Sequence, residues 1–138
     1  MRWTALTLAA AAGMAQGQTA WTNAAGGNWN LATNWNPMDV PSVAGESALI
    51  DLAPNAFAVT QNIPVTLESL SILNASATVN MLGGTTTSIV GGVMMNHGLI
   101  VVNSSFNSTD AVVSFAASGV LSGTGELRLN GFNTLDAR

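Results

Sequence analysis

Residues 79–103 read VNMLGGTTTSIVGGVMMNHGLIVVN, and three features of this stretch govern everything around it. Aliphatic and β-branched runs, Val79 to Leu82, Ser88 to Val90 and Leu99 to Val102, are short. Between them stand Gly83-Gly84, Gly91-Gly92 and Asn96-His97-Gly98. Val79 and Met81 alternate with polar neighbours, the period of a strand with one buried face. Helical spacing is absent.

Moving outward, the same grammar continues. Val65 to Leu67 and Leu70 to Ile72 precede the stretch; Val112 to Phe115, Val120 to Leu121 and Leu127 to Leu129 follow it. Successive runs begin roughly 7 to 13 residues apart, a spacing shared by antiparallel sandwiches and by solenoids with two or three strands per coil. The turns separate the two. Hairpins favour Asn-Gly or Asp-Gly in two-residue loops, and Asn130-Gly131 alone has that form here. The glycine pairs, together with Gly119 and Ser122-Gly123-Thr124-Gly125, read as corners of a coil of about 20 residues. The expected fold is all-β, a right-handed parallel β-helix. Asn74, Asn80, Asn96, Asn103 and Asn130 fall at strand ends. They fit either an amide ladder between coils or left-handed turn positions.

The segment before the coils differs. Trp21, Trp29 and Trp35 lie close together around Gly26-Gly27, and Pro37 and Pro41 follow. Proline and glycine exclude a long helix. A solenoid must cover its first coil, and three indoles, each burying about 150 to 250 Å², suit a lid. In the alternative reading Trp21, Trp29 and Trp35 form an exposed platform on which sugar rings stack.

Composition narrows the function classes. The chain has 138 residues, 48% hydrophobic and 7% charged, with 14 glycines, no cysteine and a formal charge of -4. That length holds one domain, and charge this sparse excludes a coiled coil or a charge-rich disordered tail. Three basic residues, none of them lysine, exclude nucleic acid as a partner, because phosphate binding releases counterions through several cations. Arg2, the apolar run Leu6 to Ala12 and the small residues Gly13, Ala15 and Gly17 have the layout of a secretory signal peptide. Cleavage is expected after Ala15 or Gly17, and no later run is long enough to span a bilayer. The expected organisation is a leader over 1–17, a tryptophan-rich cap over 18–55 and coils over 56–138.

With those residues in view, a resemblance can be stated. Trp21-Thr-Asn-Ala-Ala-Gly-Gly-Asn-Trp29, followed by Asn34-Trp35, Pro41, Gly45 and Ala48-Leu-Ile50, resembles the start of bacterial autotransporter-type and related surface β-helix proteins. Asn96 to Asn103 and Gly119 to Gly131 resemble the degenerate coil repeats of their passenger domains. The resemblance implies a secreted or surface-displayed right-handed parallel β-helix with adhesive duties, contacting host or matrix glycans or surface proteins. It departs from that pattern in lacking a translocating barrel, an Arg-Gly-Asp triplet and a C-terminal sorting signal. Leu127, Leu129, Phe132 and Leu135 would line a coil that Asp136 to Arg138 does not cap, so the chain is expected to continue into further coils.

Candidate chemistry is thin. Asp39, Glu46, Asp51, Glu68, Asp110, Glu126 and Asp136 form no pair in a motif suited to glycoside hydrolysis. Glu126 and Arg128 share a strand face and read as a surface pair. His97 is the only histidine, and with no cysteine a zinc ligand set is out of reach. Gly83-Gly84 and Gly123-Thr124-Gly125 precede no lysine and no helix, so they are not phosphate loops. Asn74-Ala-Ser76, Asn103-Ser-Ser105 and Asn107-Ser-Thr109 match the glycan acceptor pattern by chance frequency. The expected function is that of an exported structural or adhesin-like β-solenoid with no catalytic residue, metal or cofactor in this segment. A carbohydrate-binding or polysaccharide-degrading module with its active groups elsewhere is the alternative.

Overall fold

The computed structural model describes residues 17–103, 109–116 and 118–130. Twelve strands run through them: β1 (Gln18–Trp21), β2 (Gly27–Asn28), β3 (Trp35–Asn36), β4 (Ser47–Ile50), β5 (Phe57–Gln61) and β6 (Val65–Ile72). The others are β7 (Ala77–Met81), β8 (Thr86–Asn96), β9 (Leu99–Val102), β10 (Val112–Phe115), β11 (Val120–Ser122) and β12 (Glu126–Leu129). Among the described residues the one helical turn is a 3₁₀ segment over Ala32–Asn34.

The strands wind into a parallel β-helix, as the runs and corners imply. One sheet has the order β10-β8-β6-β4-β1-β3, with β11 also on β8, and the other the order β12-β9-β7-β5-β2. Beyond β3, which adds an antiparallel edge beside β1, each turn contributes a rung to each sheet, and among the described residues every other pairing is parallel. In the first sheet Ser47, Ser69, Val93 and Val120 stand in register, giving repeats of 22, 24 and 27 residues. In the second, Val59, Val79, Ile100 and Leu127 stand in register, spaced by 20, 21 and 27; the first three are buried and Leu127 is exposed.

Alternation decides which side chains enter. Phe57, Val59 and Gln61 on β5 and Ala77, Val79 and Met81 on β7 are buried, and the residues between them face outward. Leu67 to Leu70 breaks that period, and the structure gives the reason. Glu68 on β6 stands opposite Val90, Gly91 and Gly92 on β8, where the register shifts. Gly91-Gly92 is therefore a bulge inside one long strand, where a corner ending the run was expected; the ladder resumes at Ser69 with Val93. A side chain at Gly91 would strike the Glu68 carbonyl. Bulges of this kind bend a strand without ending it.

A polar pair, Gln61 and Thr87, sits within the core. Gln61 is buried, its Oε1 accepts from the Thr87 hydroxyl at 2.8 Å, and its Nε2 donates to the Ile63 carbonyl at 3.2 Å. Each buried polar atom of the amide thus finds a partner, which keeps the cost of burying it low.

Candidate functional site

The aromatic end is built from backbone pairing first. β1 and β3 pair antiparallel and set Trp21 opposite Trp35. Their rings meet edge to face at 5.0 Å between centroids, and Trp29 meets Trp35 at 4.7 Å. Relative exposures are 2% for Trp21, 0% for Trp29 and 1% for Trp35, so none offers a face to solvent. Each of these three indole N–H groups donates to a carbonyl: Trp21 to Asn23 at 2.7 Å, Trp29 to Pro41 at 2.9 Å and Trp35 to Trp29 at 2.8 Å. The three rings form the cap. A sugar needs an open aromatic face to stack on, and in this fold Trp21, Trp29 and Trp35 do not supply one.

Asn34 ties the cap together. Its carbonyl accepts from the Thr22 amide at 2.8 Å and the Thr22 hydroxyl at 3.2 Å. Its side chain accepts from Asn23 Nδ2 at 2.9 Å and donates to the Asn28 carbonyl at 2.9 Å. The segment 18–55 also contains β4, which pairs in parallel with both β1 and β6.

Asparagine serves both readings offered for it, with one correction. Asn74 Nδ2 donates to the carbonyls of Leu52 at 2.8 Å and Asn55 at 3.0 Å, while its Oδ1 accepts from the Ser76 amide at 2.8 Å. Asn96 repeats the arrangement, bonding the Glu126 carbonyl at 3.0 Å and the Gly98 amide at 3.1 Å. The bridges run from amide to the backbone of another coil and not from asparagine to asparagine. Asn103 takes the left-handed turn, with φ of 59°. Asn74 and Asn103 are buried, which closes two of the three glycan acceptor triplets; Asn107 lies outside the described residues.

The titratable residues are dispersed. Among the described residues no three of His, Cys, Asp and Glu come together as metal ligands. Glu126 and Arg128 form the surface ion pair at 3.0 Å, both side chains more than half exposed. His97 Nδ1 shares a hydrogen bond with Thr124 Oγ1 at 2.9 Å across adjacent coils. Glu46 has a structural use that the sequence did not signal: its carboxylate accepts the amides of Ser42 at 2.7 Å and Val43 at 3.0 Å. Residues 1–16, with the apolar run of the expected leader, and Asp136 lie outside the described residues.

Two surfaces remain. A cleft of about 240 Å³ is lined by Asn96, Leu121, Ser122, Gly123, Gly125 and Leu127, none of which carries a charge. On the outer faces of the first sheet, hydroxyls pair between coils, Ser69 with Ser47 at 2.9 Å and Ser88 with Ser114 at 3.1 Å. Further along the same outer surface, Val93, Met95 and Val120 are exposed. These hydroxyl pairs become visible in the sequence only once a coil length is known, since their members lie 22 and 26 residues apart. Among the described residues no helix is long and apolar enough to cross a membrane. Compared with protein-family models, with curated proteins and with solved structures, the chain finds no match.

Proposed function

We propose that the chain is a capped, exported β-solenoid, an adhesin-like structural support displayed at the cell surface or released from it. The observation that carries this reading is the buried column of Val59, Val79 and Ile100, continued in register by the exposed Leu127, on strands that all run the same way. A stack of this kind lengthens one coil at a time, each coil held by its neighbours. It makes a stiff support whose reach grows with the number of coils. Hydroxyl and aliphatic side chains on its outer faces suit contact with glycans or with surface proteins. Export rests on Arg2, the apolar run and the small residues before Gln18.

The test is expression of the whole chain with an epitope tag after Arg138 in a bacterial host. The expected result is an N-terminus generated by cleavage after Ala15 or Gly17, with the tag reached by antibody on intact cells or in the medium. Beads coated with the processed chain should then attach to immobilised matrix glycans or proteins above an uncoated control. Retention inside the cell with residues 1–17 intact overturns export. Correct export without attachment to any such surface overturns the adhesive role.

A further inference from the structure

We draw no further inference here: the strongest candidate, the exposed apolar patch of Val93, Met95 and Val120 on the outer face of β8 and β11, carries nothing because nothing in the structure shows what covers it.

Discussion

At the scale of single residues, the cap and the corner asparagines make opposite uses of side-chain bulk. Trp29 fills space: it is fully buried, packs on Trp35 and donates its N–H to Pro41. Replacing a buried tryptophan by alanine costs about 3 to 5 kcal/mol through lost contacts and the cavity left behind. Trp29→Ala should lower the urea midpoint by a corresponding amount, whereas a platform tryptophan would leave stability nearly unchanged. Asn74 fills little space and acts by bonding. Its removal takes three part-buried hydrogen bonds from the carbonyls of Leu52 and Asn55 and the amide of Ser76, each contributing about 0.5 to 1.5 kcal/mol. Asn74→Ala is therefore expected to destabilise by about 2 kcal/mol or more. Arg128→Ala, which breaks an exposed ion pair, should change stability by less than about 1 kcal/mol. Equilibrium urea denaturation of the three variants checks the ranking, and equal losses for Asn74→Ala and Arg128→Ala would contradict it.

At the scale of the element, the corners hold the coils at close approach. Gly98 takes a φ that any residue tolerates, yet a Cβ there would run into the Ala77 carbonyl and lie 2.9 Å from the Asn74 carbonyl. Gly98→Ala should thus destabilise by about 1 to 3 kcal/mol, the usual range for overpacking, with the denaturant slope unchanged. An alanine tolerated there would mean that the coils do not approach so closely. This closeness explains what the sequence revealed and what it hid. Val79 and Met81, or Leu127 and Leu129, announced strands by period 2, and the glycine-rich corners announced a solenoid because hairpin turns need other residues. The three tryptophans announced a cap because large apolar rings cluster where a core needs closing. Leu67, Leu70 and Ile72 read in the sequence as one more alternating set, whereas the structure breaks period 2 between Leu67 and Leu70. A bulge is defined by the partner strand, and Gly91-Gly92 lies more than 20 residues further along. The pairing of Gln61 with Thr87 was hidden for the same reason, since the two lie 26 residues apart. Glu46 differs: its partners Ser42 and Val43 are its sequence neighbours, and its role went unread for want of a recognised motif.

At the scale of the whole molecule, a stack of coils has no single centre, so its stability is distributed by position. Each coil is held by its neighbours, and the free energy of opening a rung follows the number of ordered neighbours it has. β6 and β8 each pair on both sides within the first sheet, and β7 does so in the second. Their inward residues Leu67, Ile72, Val79, Met81 and Ile89 are fully buried. β12 pairs on one side with β9, and all four of its residues are exposed. Hydrogen exchange should accordingly be slowest for the amides of β6, β7 and β8 and much faster for β12, with β9 between them. At the other end the gradient should be blunted, because β4 is flanked by β1 and β6 and lies beneath the buried indoles. Trp29→Ala ought to remove that asymmetry, speeding exchange in β4 and β5 while leaving the ratio of β8 to β12 unchanged. Backbone exchange followed by mass spectrometry on the wild-type chain and this variant reads both effects. Uniform exchange across the rungs, or a variant that accelerates all strands equally, would show a single cooperative core in place of stacked units. The cap would then govern the whole fold and not its near end.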